Sequence, residues 1–152
     1  MADSYVYAGA GMWRGGSKSG VFRMKVGNGG FEPMTQGLPD PVSVHTVTVH
    51  PLDPARIFIG TQDGPYISED RGLHWRRPDF PDHVQIWSFL VHPRQSETMY
   101  AGASPVAVYR SDDVGAHWRC LDKPVLTEHV TMPFACRVMR IALDPQATQT
   151  LY

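Results

Sequence analysis

Short apolar runs separated by proline, glycine and charged residues recur along this chain at a spacing typical of strands and turns. Residues 44–51, 86–93 and 138–145 align with one another, and each is an apolar segment that ends at a proline. Apolar runs of this length bounded by turn residues indicate β-strands, and proline ends a strand because it cannot donate to the ladder. The three segments are therefore predicted as the first strands of three equivalent units.

Further apolar segments follow each first strand at similar offsets. Second strands are predicted at residues 57–60, 99–102 and 151–152, with an earlier copy at 7–9. Third strands are predicted at 65–68 and 108–111, with a degenerate copy at 21–24, and a fourth strand after each of Trp75 and Trp118. Four strands in about 40 residues, without helical periodicity, predict an all-β repeat protein.

The phrase Ser-x-Asp-x-Gly-x-x-Trp occurs twice, at residues 68–75 and 111–118. Aspartate can hydrogen-bond turn amides, glycine can take a positive φ, and tryptophan can anchor the turn to a core. These positions are therefore predicted to be structural: Ser68, Asp70, Gly72, Trp75, Ser111, Asp113, Gly115 and Trp118.

The two phrases resemble Asp-boxes, and the repeat is similar to the BNR/Asp-box β-propellers, which include sialidases, xyloglucanases, sortilin-type receptors and photosystem II assembly propellers. The resemblance implies a partial β-propeller of about three four-stranded antiparallel blades with Asp-box hairpins. The chain is interpreted as one arc over residues 1–152. Its blades are predicted at about 4–36 (incomplete), 43–80, 85–122 and 137–152 (incomplete).

An arc of this kind leaves strand edges open, whereas propellers usually close with about four to eight blades. Two partners could cover the open edges. One is the remainder of a longer propeller chain, and the other is a second copy of this chain that closes the ring as a homo-oligomer.

Charge and composition exclude several classes of partner. The chain has 14 basic and 15 acidic residues, so it lacks the basic surface that nucleic acids and anionic membranes attract. No apolar run approaches the roughly 20 residues of a spanning helix, and the start has neither a basic nor an apolar leader segment. A cytoplasmic protein that binds no nucleic acid and no membrane is expected.

Loops that differ between otherwise regular repeats are the usual place for function. In the propellers that this chain resembles, first strands begin at the top face, away from the Asp-box hairpins. Aromatic, basic and amide side chains that stack on or hydrogen-bond a ligand would meet there. The candidate ligand-binding residues are Trp13, Arg14, His45, Gln62, Trp87, Arg137 and Arg140.

Histidines and carboxylates supply two further candidate sites. His45, His83 and His129 are residues of a type that binds first-row divalent metals, although they lack short-range ligand spacing, so no cofactor is required. Acid–base chemistry needs paired carboxylates, and those available in the loops are Asp63, Asp79, Asp82, Asp122 and Glu128. Asp63 and Glu128 are the candidate catalytic residues.

Three functions fit these features. The first is a recognition module that binds a polar or anionic small molecule or glycan at the mouth of the top-face channel. The second is a glycosyl hydrolase or lyase of the Asp-box propeller type, and the third is a scaffold for protein interaction. Sequence alone leaves open whether the protein is an enzyme.

Overall fold

The computed structural model describes residues 3–11, 19–27, 29–121 and 136–152, and these contain ten β-strands and no α-helix. Accordingly, no helix in these ranges is long and apolar enough to cross a membrane. The strands form three antiparallel sheets in chain order, so each sheet is a local unit of consecutive strands.

The first sheet has the order β1-β2-β3, with strands Tyr5–Ala10, Gly20–Lys25 and Glu32–Pro33. The second has the order β4-β5-β6, with strands Val44–Val49, Ile57–Thr61 and Gly64–Ser68. The third has the order β10-β9-β8-β7, with strands Gln85–Val91 (β7), Met99–Ser104 (β8), Ala107–Ser111 (β9) and Arg119–Cys120 (β10).

The fourth strand differs between the second and third sheets. After Trp118, β10 pairs with β9 through Arg119 and Cys120. After Trp75, the corresponding segment makes only one bridge, between Ile67 and Arg76. Pro78 follows closely and has no N–H to extend a ladder, so the predicted strand is reduced to this bridge.

The predicted first strand at residues 138–145, which together with β4 and β7 we call the inner segments, is also shorter than the pattern suggests. It forms one bridge, Leu143 to Leu151, supported by reciprocal hydrogen bonds between Ala142 and Tyr152 of 2.9 and 2.8 Å. Its start is held separately, because the Val138 N–H donates to the Ala103 carbonyl of β8 at 3.0 Å. The segment therefore occupies the position of an inner strand with little ladder of its own.

Consecutive sheets pack through glycines in their second strands. A Cβ atom at Gly60 of β5 would lie 2.6 Å from the Ile86 carbonyl oxygen of β7, and one at Gly102 of β8 would lie 2.7 Å from the Val138 carbonyl oxygen. Such distances are shorter than van der Waals contact, so only glycine lets the backbones approach this closely. The second strand of each sheet thus touches the inner segment of the next sheet.

The core lies between these sheets. One buried cluster joins Val21 of the first sheet to Ile57 and Ile59 of the second. Another contains Ile86, Ala101 and other residues of the third sheet together with Phe80. Every residue of β5 and β8 is buried, which explains why these strands consist of apolar and small residues.

The repeat hairpins, residues 68–75 and 111–118, have the same geometry in both copies. The Ser68 hydroxyl donates to Asp70 Oδ1 at 2.8 Å, and the backbone N–H of His74 donates to the same oxygen at 2.9 Å. The hydrogen bonds in the second copy, from Ser111 and His117 to Asp113, have the same two lengths. Aspartate therefore closes both turns through the contacts that the repeated phrase predicts.

Each repeat hairpin also anchors its tryptophan differently. The Trp75 indole N–H reaches back to the Met34 carbonyl beside the first sheet at 3.1 Å. The Trp118 indole N–H closes on its own hairpin, at the Gly115 carbonyl, at 2.9 Å. Both hairpins contain a left-handed glycine, with φ of 85° at Gly72 and 83° at Gly115.

Candidate functional site

The register places the candidate site and the repeat hairpins at opposite ends of the sheets. In the second sheet Val44 pairs with Thr61, and Thr61 pairs with Gly64, so the start of β4 lies beside the β5–β6 turn. Ser68, where the repeat hairpin begins, pairs with Ile57 at the other end. The end that holds the β5–β6 turn and the starts of β4 and β7 is called the loop face below.

Three sequence-predicted ligand residues form a stack on the loop face. The rings of His45 and Trp87 lie 3.8 Å apart at an interplanar angle of 12°. The Arg137 guanidinium carbon lies 4.1 Å from the Trp87 ring centroid. Trp87 comes from the middle of three consecutive inner segments and contacts one group from each neighbour. We call His45, Trp87 and Arg137 the stacked triad.

Burial and the charge of Arg137 hold the His45 imidazole neutral, and a backbone contact fixes its tautomer. Its Nδ1 lies 3.2 Å from the Ile86 carbonyl, which can only accept, so Nδ1 carries the proton and donates. Burial lowers the pKa of His45, the Ile86 carbonyl opposes this shift, and the positive charge of Arg137 lowers it further. A neutral imidazole therefore stacks on Trp87 at pH 7, and Arg137 supplies the triad's positive charge.

The position equivalent to His45 and Trp87 in the next segment is Met139, which is 60% exposed. The Trp87 indole N–H donates to the Gln85 side-chain oxygen at 3.3 Å, which fixes the ring within its own strand. Arg140 is exposed and makes no hydrogen bond or ion pair with the described residues.

Gln62 makes hydrogen bonds to the segment that leads into β4 and to Asp63. Its side-chain oxygen accepts from the Ser43 N–H, two residues before His45. Its side-chain nitrogen donates to Asp63 Oδ2 at 2.7 Å. Gln62 therefore fixes the approach to β4 and orients the Asp63 carboxylate at the same time.

Asp63 lies in a cavity of about 420 Å³ on the loop face, which we call the polar cavity. Arg77 holds its wall together, with Nε donating to the Asp63 carbonyl at 3.1 Å and Nη2 to Asp82 Oδ1 at 3.1 Å and the Pro81 carbonyl at 3.3 Å. The cavity is lined by Gln62, Asp63, Tyr66, Arg77, Asp82 and His83.

Sequence reasoning did not place Tyr66 or Arg77 in a site. Tyr66 was predicted only as a strand residue, and Arg77 gave no signal beyond its place before Pro78. The Arg77 side chain bonds the carbonyls of two separate loops, and contacts of this kind produce no periodic pattern in a sequence. The polar cavity was therefore visible only through Gln62, Asp63, Asp82 and His83.

The predicted metal set is divided between these features. His45 lies in the stacked triad, and His83 lies in the polar cavity. Within the residues that the structure describes, no three histidine, cysteine or acidic side chains converge as metal ligands. The remaining sequence-predicted site residues lie outside the described residues: Trp13, Arg14, Glu128 and His129.

Comparisons with known proteins support the fold. No protein-family model matches the chain, and no curated protein sequence matches it. The solved structure of an ancestral GH74 enzyme is similar, with a TM-score of 0.59 and 21% identity over 67% of this chain. A GH74 xyloglucanase from Xanthomonas campestris matches with a TM-score of 0.39 and 15% identity, over 88% of this chain and 32% of its own.

The likeness to the ancestral GH74 enzyme bears on architecture alone, because the identity is low. GH74 enzymes are β-propellers, and the three consecutive antiparallel sheets agree with that fold. The chain spans 15% of the length of that enzyme. The structure is thus a partial β-propeller, and the all-β fold predicted from the repeats is confirmed.

Proposed function

We propose that this protein is a recognition module of the BNR/Asp-box propeller type, which binds a polar or anionic small molecule or glycan at the loop face. The stacked triad carries this proposal. Aromatic and guanidinium groups from three consecutive inner segments meet there, in addition to the glycine contacts and buried clusters that pack the sheets together.

The chemistry of the stacked triad suits such a ligand. Because His45 and Arg137 lie against the Trp87 ring, a ligand would pack on the edge of Trp87 and on the outer surfaces of the stack, where the guanidinium can donate to hydroxyl or carboxylate oxygens. Arg137 is exposed, as is Met139 beside it, so the triad continues into accessible surface. Gln62 and the polar cavity supply hydrogen-bonding groups on the same face.

The test is calorimetric titration of the chain with cellotetraose, which is neutral, and tetragalacturonate, which is carboxylated. We expect saturable binding of at least one of them, weakened about tenfold or more by Trp87→Ala, because a buried aromatic contact contributes of order 1.5 kcal/mol. Phe31→Ala is the matched control, since Phe31 is an exposed aromatic residue immediately before β3. Equal binding by the Trp87→Ala variant and the wild type would refute the proposal.

A second candidate function is glycosyl hydrolysis, and one observation favours it. Asp63 and Asp82 line the same cavity, and glycosidases use carboxylate pairs. The ancestral GH74 protein, which has a similar fold, is also an enzyme. If this candidate is right, Asp63→Asn abolishes turnover of a soluble polysaccharide such as xyloglucan while binding is retained. Unchanged turnover in that variant would exclude Asp63 as the catalytic acid or base.

A further inference from the structure

Several polar groups of the polar cavity have no hydrogen-bond partner among the residues that the structure describes. The Tyr66 hydroxyl and the His83 imidazole make no hydrogen bond with the described residues. Arg77 is fixed through Nε and Nη2, which leaves its Nη1 without a bond to the same part of the chain. A few polar groups that converge on one cavity and keep hydrogen-bonding capacity for a further partner are a common lining of a ligand site.

The charges of the cavity are unequal. The Asp82 carboxylate forms an ion pair with Arg77 at 3.1 Å. Asp63 forms no ion pair with any described residue, and its side-chain hydrogen bond comes from the neutral Gln62 amide. Two carboxylates against one guanidinium leave one net negative charge, which lies on Asp63.

The pKa of the Tyr66 hydroxyl responds to the same charges. Burial raises the pKa of the Tyr66 hydroxyl, the Asp63 charge raises it further, and Arg77 opposes both effects. The hydroxyl therefore stays protonated and can both donate and accept. A ligand oxygen next to Tyr66 and a ligand cation next to Asp63 would both find a partner.

His83 is held in an unusual backbone conformation at the rim. Its φ is 60°, a left-handed value that few residues other than glycine adopt. Nonglycine residues in this region are often found at functional sites. The conformation places the imidazole in the wall of the cavity.

We propose that the polar cavity is a second binding site, selective for an amino sugar, with the protonated amine beside Asp63 and the ring hydroxyls on Tyr66, Arg77 and Asp82. The volume of about 420 Å³ falls within the usual range of small-molecule sites. The proposal rests on the proposed function in that the ligand is a saccharide, and it adds a selection by charge.

The experiment compares three sugars of nearly the same shape and different charge: glucosamine, glucose and glucuronate. Each is titrated into the full 152-residue chain at a pH where the amine is protonated, and binding is followed by ligand-observed NMR. We expect glucosamine to bind about tenfold more tightly than glucose, because a hydrogen bond between charged groups is stronger than one between neutral groups, and glucuronate to bind least.

Three variants locate the site. Asp63→Asn removes the charge at nearly constant volume and should abolish the preference for glucosamine over glucose. Tyr66→Phe should weaken both sugars a few-fold. Tyr109→Phe is the matched control, because Tyr109 holds the equivalent place in β9 and packs against Phe80. Thermal unfolding checks each variant, and Asp63→Asn decides the result if Tyr66→Phe fails to fold, since Asp63 is exposed.

Equal binding of the three sugars, no saturation at about 100 mM glucosamine, or the same preference in Asp63→Asn as in the wild type would each overturn the amino-sugar site. Trp87→Ala separates this proposal from the previous one. If glucosamine binds and no oligosaccharide depends on Trp87, the stacked triad is not a binding surface and the cavity stands. If oligosaccharides depend on Trp87 and glucosamine shows no preference, only the cavity proposal fails.

Discussion

Single residues hold neighbouring sheets together in two ways. A glycine, which has no side chain, lets the two backbones approach closely, and side chains from adjacent sheets stack on each other. Gly60 belongs to the first kind, since its backbone meets the Ile86 carbonyl of the next sheet. The stacked triad belongs to the second kind and joins the same sheets near the loop face. The contact at Gly60 has no room for an added atom, whereas the stacked triad can lose side-chain atoms while the glycine contacts still hold the sheets together.

We expect Gly60→Ala to lower the free energy of unfolding by about 1–3 kcal/mol, the usual penalty for overpacking. The new Cβ would lie 2.6 Å from the Ile86 oxygen and 2.8 Å from the methyl groups of Ile86 and Thr46. Gly30→Ala is the control, because a Cβ at Gly30 meets nothing within 4 Å. Urea denaturation measures both, and equal stability of the two variants would contradict the packing described.

The charge of Arg137 should be measurable at His45. Burial and Arg137 both lower the pKa of His45, so we expect Arg137→Gln to raise its titration midpoint toward the usual value of 6.5 without reaching it. Proton NMR of the imidazole between pH 4 and 8 gives the midpoint. Arg94→Gln, at the opposite end of the sheets, should leave it unchanged, and a midpoint insensitive to Arg137 would place the guanidinium elsewhere.

Among the elements, the repeat hairpins are turns closed by a side chain. Asp70 accepts from Ser68, from the His74 amide and from the His74 ring at 2.6 Å. Asp113 makes the matching three contacts in the second hairpin. Because the contacts are equivalent, the two hairpins should respond alike to the same substitution.

Asp70→Ala and Asp113→Ala should each destabilise the fold by about 1–3 kcal/mol through lost turn hydrogen bonds. Chemical denaturation gives the two free energies. Asp63→Ala provides the comparison, because Asp63 is exposed and forms no ion pair with the described residues. A penalty at one hairpin and none at the other would show that only one of the turns depends on its carboxylate.

The same hairpins set an acid limit on stability. Burial raises the pKa of both aspartates, but hydrogen bonds from the amide and ring of the following histidine and from serine outweigh it and hold both at about 2, below the usual 3.8. A carboxyl whose pKa is depressed on folding stabilises the protein above its unfolded pKa, and this contribution is lost as the pH falls through its folded pKa.

The free-energy gap between the wild type and the double variant Asp70→Asn/Asp113→Asn should therefore be constant above about pH 4 and shrink between pH 4 and 2. Urea midpoints at pH 5, 4, 3 and 2 test this. A gap that persists unchanged at pH 2 would mean that the carboxylates stabilise the turns without their charge.

Elements also show where the sequence is informative. The apolar runs predict β4 to β9 because strand pattern and turn residues coincide there, and the repeated phrase predicts which carboxylate closes each turn. The fourth strand after Trp75 is not formed because Pro78 interrupts it, although the repeat alone makes it equivalent to β10. Segments that are equivalent in the repeat therefore take equivalent positions, but they do not always form the same hydrogen bonds.

At the scale of the whole molecule, the repeat hairpins and the proposed binding surfaces lie at opposite ends of the same strands. The repeat hairpins follow β6 and β9 at one end, and the stacked triad and polar cavity occupy the other. His45 and Trp87 share a repeat position and were predicted together, but their stacking depends on the angle between sheets. Arg77 and Tyr66 depend on that angle and on loop conformation, which the residue pattern does not encode.

Because the repeat hairpins and the loop face lie at opposite ends of the strands, substitutions at the two ends should change the free energy of unfolding additively. Asp70→Ala should destabilise the fold and leave ligand affinity unchanged, whereas Trp87→Ala should weaken binding, and their effects on unfolding should add within about 0.5 kcal/mol. Denaturation and titration of both single variants and the double variant measure this. A coupling well above 0.5 kcal/mol would mean that the hairpin and the loop face communicate.

The glycines between sheets have a consequence for curvature. At both Gly60 and Gly102 a carbonyl oxygen and a methyl group of the next inner segment lie 2.6–2.8 Å from a Cβ position, so the missing side chain sets how closely consecutive sheets approach. Tandem copies of residues 44–85 would each turn by the same increment. The radius of a ring built from such copies would then depend on one residue, the glycine equivalent to Gly60, in every copy.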